Sequence, residues 1–290
     1  MRICLMIEGQ EGVTWEQWLA LADAAESAGL EGLFRSDHYR AIVRGEPAGS
    51  LDAWAILAAL AARTSRLRLG TMVSPVTFRL PAVLAKNAVS VDHISGGRVE
   101  LGIGAGWYEA EHESYRLPFP PQRERLDELD RQLEEITRQL TRADDVQPKP
   151  VQQPRPPIIV GGRARPRTVR AAIAHADEYN TVFPSVDDAR VRRRAVDEAA
   201  RAAGREPLRF SMMASCVVGR DEAETERRLG EWRALTGRDA TPVVHGTVDE
   251  VVGRLREYEA AGVERAMLQH LVHEDVDMVA VLGDVASRLT

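Results

Sequence analysis

Cysteine is scarce in this sequence of 290 residues, which contains Cys4 and Cys216 and no others. Each cysteine stands alone in an apolar run, so the pair supplies neither a C-x-x-C motif nor the ligand spacing of a metal site. We expect both thiols to be buried in strands. Such rare use of cysteine is typical of a reducing compartment, and a cytoplasmic location is therefore predicted.

Long apolar runs and an excess of positive charge are also missing. The apolar start, residues 1–7, is too short for a membrane span or for a signal peptide with its cleavage site. The formal net charge of −6 argues against a general nucleic-acid surface. With 44% hydrophobic and 28% charged residues, we expect a folded soluble protein whose partners are neither membranes nor nucleic acids.

What the sequence does contain is an alternation of strand-like and helix-like patterns. Apolar runs predict eight strands, and segments with apolar residues at helical spacing lie between them. The predicted strands span residues 2–7, 32–38, 66–75, 98–106, 156–162, 178–183, 209–219 and 265–271. Strands joined by helical crossovers pair in parallel. Eight such units predict an α/β fold with a single TIM barrel, (βα)8, over residues 1–290; an open doubly wound sheet is the alternative.

One stretch interrupts this alternation. Residues 141–157 contain five prolines, which exclude a helix and disfavour a central strand. We interpret the stretch as an ordered surface connection between the fourth and fifth units. A flexible linker between domains is the alternative, but the alternation resumes directly after residue 157.

The functional residues of such a barrel lie at the carboxyl ends of its strands. These positions are polar or rich in glycine, as is typical of an enzyme with this fold. They are Glu8, Gly9, Gln10, Ser36, Asp37, His38, Thr71, Met72, Val73, Ser74, Gly104, Ala105, Gly106, Trp107, Gly161, Gly162, Asn180, Thr181, Gln269 and His270.

Asp37 and His38 are adjacent where the second predicted strand ends. Neighbouring residues of a strand point to opposite faces, so only one of the two side chains can face the mouth if the strand stays regular. Metal ligands need to share a face, and the adjacency therefore argues against a bound metal. His38 is a candidate for proton transfer near neutral pH; alternatively, it caps the strand and hydrogen-bonds the next loop.

Glycines are concentrated at the end of the fourth predicted strand. Gly102, Gly104 and Gly106 form a G-x-G-x-G pattern, which does not match the G-x-G-x-x-G fingerprint of dinucleotide-binding folds. Small residues at a strand end let a flat ligand approach closely, or they relieve crowding where the strands taper.

A second glycine pair, Gly161 and Gly162, precedes a predicted helix and stands beside Arg163, Arg165 and Arg167. Free backbone N–H groups at a helix start, together with arginines, favour a phosphate site. A tight turn with solvated arginines is the alternative.

Four stretches of the sequence resemble the luciferase-like monooxygenase superfamily, and within it the coenzyme F420-dependent oxidoreductases. They are EGLFRSDHY (residues 31–39), AARTSRLRLGTMVSPVTFRLPAVLAK (61–86), SGGRVELGIGAGWYEAEH (95–112), and PPIIVGG (156–162) with the arginine-rich helix after it. The resemblance extends over nearly the whole chain. The SDH motif favours the deazaflavin branch over the FMN branch.

The resemblance implies roles for several of these residues. His38 would lie against the redox-active ring edge as proton donor or acceptor, and Asp37 would hold the ring largely through its backbone. The end of the third strand, with Thr71, Met72 and Val73, would form a bulge behind the ring, often with a non-proline cis peptide. The other implied cofactor contacts are Gly104, Gly106 and Trp107 along the ring, and Gly161, Gly162 and Arg163 at its phosphate.

Two features depart from the pattern of the family. The position after the fourth strand that often carries a catalytic carboxylate is Trp107 here, and Glu109 is the candidate to substitute for it; a solvated loop glutamate is the alternative. The proline-rich stretch 141–157 replaces a hairpin-like insert that can cover the pocket in the family.

The predicted function is hydride transfer between coenzyme F420 and a small organic substrate, with His38 as proton donor or acceptor. One alternative is an FMN-dependent luciferase-like monooxygenase, which would use molecular oxygen. Another is a flavin-binding protein without catalytic activity. The resemblance also implies a homodimer that pairs through the second and third helices.

Overall fold

Strands and helices alternate along the computed structural model, which describes residues 1–45, 48–237 and 242–289. The strands are β1 (Arg2–Ile7), β2 (Gly32–Arg35), β3 (Arg68–Thr71), β4 (Ser74–Pro75), β5 (Val99–Gly104), β6 (Ile158–Gly162), β7 (Glu178–Val182), β8 (Arg209–Gly219), β9 (Val244–Thr247) and β10 (Arg265–His270). The helices are α1 (Trp15–Ser27), α2 (Ala53–Arg63), α3 (Pro81–Ser95), α4 (Glu109–Tyr115), α5 (Gln122–Thr141), α6 (Pro166–His175), α7 (Val186–Ala202), α8 (Glu222–Thr236), α9 (Val248–Ala260) and α10 (Asp277–Ser287).

The strands form a closed parallel barrel. Neighbouring strands follow the order β1, β2, β3, β5, β6, β7 and β8 around the sheet. β10 pairs in parallel with both β8 and β1, where Ile7 lies opposite His270, and this pairing closes the ring. Within the described ranges, eight strands thus form the predicted TIM barrel, and the closure excludes an open sheet.

Several strands differ from their predicted form. β2 ends at Arg35 rather than at residue 38, so Asp37 and His38 lie in the loop after it. The stretch 66–75 is split into β3 and β4, and the peptide bond between Met72 and Val73 in the gap is cis. β8 is 11 residues long, and its last four residues pair with β9, which was not predicted. A four-residue strand such as β9 is too short to show the period-two alternation from which strands are recognised.

Several helices begin with side chains that satisfy the free backbone N–H groups of their first turn. Thr14 and Gln17 form a capping box at α1, and Ser185 and Asp188 form one at α7. Asp52 accepts two hydrogen bonds from the first turn of α2. Within the described residues, every helix falls short of the length or the apolar character that crossing a bilayer requires.

The inside of the barrel is filled by an apolar cluster. Its buried members are Cys4, Met6, Phe34, Met72, Ile159, Met213 and Met267. Cys4 and Cys216 are both free and buried, as predicted. Burial raises the pKa of Cys216 to about 12, so its thiol stays protonated and unreactive near neutral pH.

An ion cluster closes the amino end of the barrel. Arg265 at the start of β10 is fully buried, and its guanidinium lies 2.6 Å from the carboxylates of both Glu100 and Glu178. Burial alone would raise the pKa of Glu100, but Arg265 and Arg68 together outweigh burial and lower it. Burial raises the pKa of Glu178. The barrel is therefore a packed core at this end, and the carboxyl ends of the strands form its mouth.

The proline-rich stretch 141–157 lies at the amino end of the barrel. The side-chain amide of Gln152 donates hydrogen bonds to the Asp92 carboxylate at 2.7 Å and to the carbonyl of Val99, the first residue of β5, at 2.8 Å. The stretch is thus a surface connection, as predicted. The implication that it takes the place of a pocket cover is wrong, because a connection from a helix back to the next strand runs at the end of the barrel opposite the mouth.

Candidate active site

His38 lies in the loop after β2, and its imidazole contacts the buried carboxylate of Glu111 on α4. Nδ1 of His38 lies 2.8 Å from Oε1 of Glu111, and Oε2 of Glu111 accepts the Tyr39 backbone N–H at 3.0 Å. The Glu111 side chain is 1% exposed and the His38 side chain 16% exposed. Because an ionised carboxylate only accepts hydrogen bonds, Nδ1 carries a proton, and Nε2 is the nitrogen left for a ligand at the mouth.

The Glu111 carboxylate also sets the charge of His38. Burial alone would lower the pKa of His38, but the hydrogen bond and the negative charge of Glu111 outweigh burial and raise it above the ordinary histidine value. Glu8 and Asp37 add smaller contributions of the same sign. The imidazole therefore keeps its proton to a higher pH than a free histidine does, which suits a proton donor near neutral pH.

The sequence predicted Glu109 as the candidate carboxylate, whereas the carboxylate in contact with His38 is that of Glu111. Glu109 is exposed at the first residue of α4. Residues two positions apart point to opposite sides of a helix, so Glu109 and Glu111 cannot both face His38. α4 itself was not predicted. The signal that could have found it is the acidic first turn of EAEHESY, which favours a helix start.

The Asp37 side chain is directed away from His38. Its carboxylate accepts hydrogen bonds from Arg79 at 2.6 and 3.2 Å and from the Ser74 hydroxyl at 2.6 Å. Arg79 also lies 2.6 Å from Asp52, which caps α2. The carboxylate thus ties the β2 loop to α2 and to β4. Only the backbone of Asp37 is left for a ligand.

The predicted bulge after β3 lies over the apolar interior of the barrel. Met72 belongs to the interior cluster, and Val73 packs against that cluster. The hydroxyl of Thr71 donates to the carbonyl of Gly102 at 2.8 Å. A Cβ built on Gly104 would lie 2.6 Å from Cγ2 of Val73. The floor of the mouth is therefore an apolar surface that Gly104 keeps free of a further side chain.

Trp107 forms part of the wall beside His38. Its side chain is 63% exposed, and the centroids of the two rings lie 5.7 Å apart at 80°. It also stacks on Tyr108, with centroids 5.3 Å apart. Gly106 precedes it with a φ of 76°, a backbone conformation that favours glycine. This turn directs a broad aromatic surface into the mouth.

Gly161 and Gly162 are the last residues of β6, and the hydroxyl of Tyr179 stabilises the turn that follows them. It accepts the backbone N–H of Ala164 at 2.8 Å, and a Cβ built on Gly162 would lie 2.9 Å from it. Arg163 is exposed in this turn. Of the predicted arginines, Arg167 instead donates to the carboxylate of Asp127 on α5. Gly161, Gly162 and Arg163 thus remain available to a phosphate, whereas Arg167 is engaged by Asp127.

His270, the second histidine at a strand end, is 1% exposed. Its Nε2 donates to the carbonyl of Asp275 at 3.0 Å. Burial lowers its pKa to about 4, so it stays neutral near pH 7. Asn180 at the end of β7 is fully buried and donates to Ser211 at 2.8 Å. These two polar residues therefore stabilise the barrel, and His38 is the histidine that reaches the mouth.

A sequence model of the luciferase-like monooxygenase family matches residues 2–285. The chain belongs to this family. Among its members, an uncharacterized protein of Mycobacterium tuberculosis is 30% identical over 233 residues, which are 74% of this chain and 75% of the relative.

Solved structures of luciferase-like proteins have the same fold. The coenzyme F420-dependent tetrahydromethanopterin reductase of Methanopyrus kandleri superimposes with a TM-score of 0.79 at 20% identity, covering 98% of both chains. The oxygenating constituent of 3,6-diketocamphane monooxygenase of Pseudomonas putida, solved with FMN, gives a TM-score of 0.81 at 18% identity and covers 100% of this chain and 99% of its own. At such identities the likeness establishes the fold alone.

Proposed function

We propose that this luciferase-like protein is an oxidoreductase that uses coenzyme F420 to transfer a hydride to or from a small organic molecule. The observation that carries the proposal is the pairing of His38 with Glu111 at the open end of the barrel. It provides a protonated imidazole beside an apolar floor, which is the arrangement that hydride transfer to a carbonyl needs.

The residues at the mouth fit a flat ring with a phosphate-bearing tail. Val73 and the interior cluster offer an apolar surface, and Gly104 lets Val73 pack directly against β5 because a Cβ there would collide with Val73. Trp107 would lie along the ring. Gly161, Gly162 and Arg163 would receive the phosphate, since backbone N–H groups and an arginine favour an anion. When bound, coenzyme F420 supplies a two-electron hydride donor or acceptor.

The protein's own part is to hold and move one proton. In the reducing direction, the substrate oxygen needs a proton when its carbon gains a hydride, and Nε2 of the His38 imidazolium supplies it. In the oxidising direction, neutral His38 takes that proton from the hydroxyl. Glu111 keeps the ring oriented through Nδ1 and stabilises the imidazolium, so it is a positioning residue.

An FMN-dependent monooxygenase is the second candidate. It is supported by the fold shared with the Pseudomonas putida enzyme that was solved with FMN. Such an enzyme would consume molecular oxygen, whereas the proposed hydride transfer proceeds without it.

The test is an anaerobic screen of alcohols, ketones and enones with oxidised and reduced F420. The absorbance of the coenzyme reports turnover. We expect turnover without oxygen, and we expect His38→Ala to lower it by roughly 100- to 10,000-fold, the range of general acid–base groups. His175→Ala, a change at the half-buried last residue of α6, is the matched control and should leave the rate unchanged. Turnover only with FMN and oxygen would favour the second candidate.

A further inference from the structure

His112 is a fully buried histidine on α4, one position after the Glu111 that contacts His38. Its Nδ1 lies 2.7 Å from the carbonyl oxygen of Tyr108, and its Nε2 lies 2.6 Å from the hydroxyl oxygen of Thr77. A carbonyl only accepts hydrogen bonds, so Nδ1 carries a proton, and Nε2 is engaged by Thr77. Both nitrogens are therefore used within the protein, and neither is left for a ligand.

The short helix α4 depends on such contacts for its orientation. It has seven residues, too few for a helix that is stable alone, and among the described residues its N-cap side chain makes no capping hydrogen bond. Its bond from Arg40 to the Ser114 hydroxyl, at 3.1 Å, joins it to the loop after β2, which also carries His38. The bond from His112 to Thr77 instead joins it to the residues after β4.

Residues 74–77, the anchoring segment, are firmly bonded to the barrel. The segment begins with β4, which pairs in parallel with β5. The N–H of Val76 donates to the carbonyl of Gly104 at 2.9 Å, and the side-chain amide of Gln132 on α5 donates to the carbonyl of Val76 at 2.8 Å. The anchoring segment is therefore held by two elements that carry neither member of the proton-transfer pair.

The anchoring segment holds the sequence neighbours of both members of that pair. At its start, the Ser74 hydroxyl donates to Asp37, the residue before His38, at 2.6 Å. At its end, the last hydroxyl contacts His112, the residue after Glu111. Because sequence neighbours share a backbone, these two bonds fix where the loop after β2 and α4 lie relative to each other. The contact of 2.8 Å between the imidazole and the carboxylate depends on that placement.

We propose that His112 is a positioning residue for the proton transfer: it bonds α4 to the anchoring segment and so holds the Glu111 carboxylate against Nδ1 of His38. The inference rests on the proposed function and adds to its site a residue that touches neither the ring nor the substrate. Successive residues of a helix lie about 100° apart around its axis. A rotation of α4 that broke the bond to Thr77 would therefore also turn the neighbouring carboxylate away from the imidazole.

The first test follows the imidazole of His38 by NMR in the protein without cofactor, where its signals are identified by their loss in His38→Ala. His112→Phe keeps an aromatic ring in place and removes both nitrogens. The pKa of His38 should fall in this variant, because the Glu111 carboxylate is no longer held on Nδ1. The charged groups that act on His38, which are Glu111, Glu8 and Asp37, all remain in the variant. A shift therefore reports position and not a lost charge.

A matched pair of variants at Thr77 separates the hydrogen bond from the packing of the ring. Thr77→Val removes the hydroxyl at nearly constant volume, and Thr77→Ser keeps it. We expect Thr77→Val to lower the pKa of His38 as well, and to lower kcat by roughly 10- to 100-fold at constant affinity for F420. Thr77→Ser should stay close to the wild type. His93→Phe, which loses a bond to the Lys149 carbonyl, is the control and should change neither quantity.

Three outcomes would overturn the inference. The first is an unmoved titration of His38 in both His112→Phe and Thr77→Val. The second is a lower kcat without a change in that titration, since the bond would then not act through Glu111. The third is an equal loss in Thr77→Ser. If His112→Phe folds poorly, the pair at Thr77 decides alone. An absence of F420-linked turnover in the wild type counts against the proposed function, whereas the titration still tests His112.

Discussion

The imidazole of His38 and the carboxylate of Glu111, 73 residues apart in sequence, are joined by a hydrogen bond of 2.8 Å. The bond connects the loop after β2 to α4, the short helix after β5. It joins two elements whose proximity the sequence motifs do not indicate, and it gives the candidate active site its proton carrier.

Replacing Glu111 by glutamine should lower the pKa of His38, because the charge and the strong hydrogen bond that raise it are lost. The pH above which the reducing reaction declines should then move down, so the activity on the alkaline side should fall. A pH profile of kcat measures this shift. Glu113→Gln, on an exposed position of the same helix, is the control and should keep the wild-type profile. An identical profile in Glu111→Gln would show that Glu111 does not tune His38.

The same pair should link stability to pH. The folded-state pKa of His38 is raised, so the contribution of the pair to stability is fully present below the ordinary histidine pKa. It is lost as the pH rises through the raised value in the folded protein. Urea unfolding from pH 5 to pH 9 should therefore show this loss in the wild type and a flatter dependence in His38→Ala. A loss of equal size in both proteins would count against the assignment.

Adding a methyl group at Gly104 should disturb the floor of the mouth. The new Cβ would lie 2.6 Å from Val73, an overlap that typically costs about 1–3 kcal/mol and would shift Val73 toward the ring site. We expect weaker F420 binding in Gly104→Ala and recovery in the double variant Gly104→Ala/Val73→Ala. Gly230→Ala, where nothing lies within 4 Å of the new atom, is the control. Normal affinity in Gly104→Ala would argue against this floor.

Removing the hydroxyl of Tyr179 should loosen the turn after β6. The Ala164 N–H loses its acceptor, and a hydrogen bond of this kind contributes about 1 kcal/mol, equivalent to roughly fivefold in affinity. Tyr179→Phe should weaken binding of F420 more than binding of the same deazaflavin without its phosphate. Tyr258→Phe, which loses a hydrogen bond to Pro184 instead, should affect both ligands equally. Equal weakening by Tyr179→Phe would place the phosphate elsewhere.

Replacing Arg265 by methionine should destabilise the barrel from its closed end. Glu100 would keep only Arg68, and Glu178 only the more distant Arg209, so both buried carboxylates would lose their central cation. Breaking a buried pair in this way typically costs about 3–5 kcal/mol. Urea denaturation measures the loss, and adding Glu100→Gln and Glu178→Gln should restore much of it. Arg254→Met, which breaks an exposed pair with Glu257, should change stability little. A fully stable Arg265→Met protein would contradict the role of the cluster.

Much of the fold could be predicted because it depends on local patterns. Parallel strands buried on both faces are continuous apolar runs, such as β8, whose bounds 209–219 were predicted without error. The interruption between β3 and β4 could not be predicted from periodicity, because the two residues in the gap, Met72 and Val73, are both apolar. α4 and β9 were missed since seven and four residues are too few for a periodic signal.

The candidate site was predicted less completely than the fold. His38 and the glycines lie at strand ends or directly after them, so their place at the mouth follows from the barrel alone. Glu111 could not be distinguished from Glu109 without the helix that turns one inward and the other outward. Glu8 and Gln269 were recognised as strand-end residues, but their hydrogen bond joins the first strand to the last, and sequence spacing carries no sign of it. The homodimer implied by the family resemblance stays a prediction, which analytical ultracentrifugation can check.

The measurement that tests the central claim most directly is a fluorescence titration of the purified protein with oxidised F420 and, separately, with FMN. The account predicts saturable quenching by F420 with at least tenfold higher affinity than for FMN, and the same F420 affinity in His38→Ala. No saturable change with F420, or tighter binding of FMN, would contradict it.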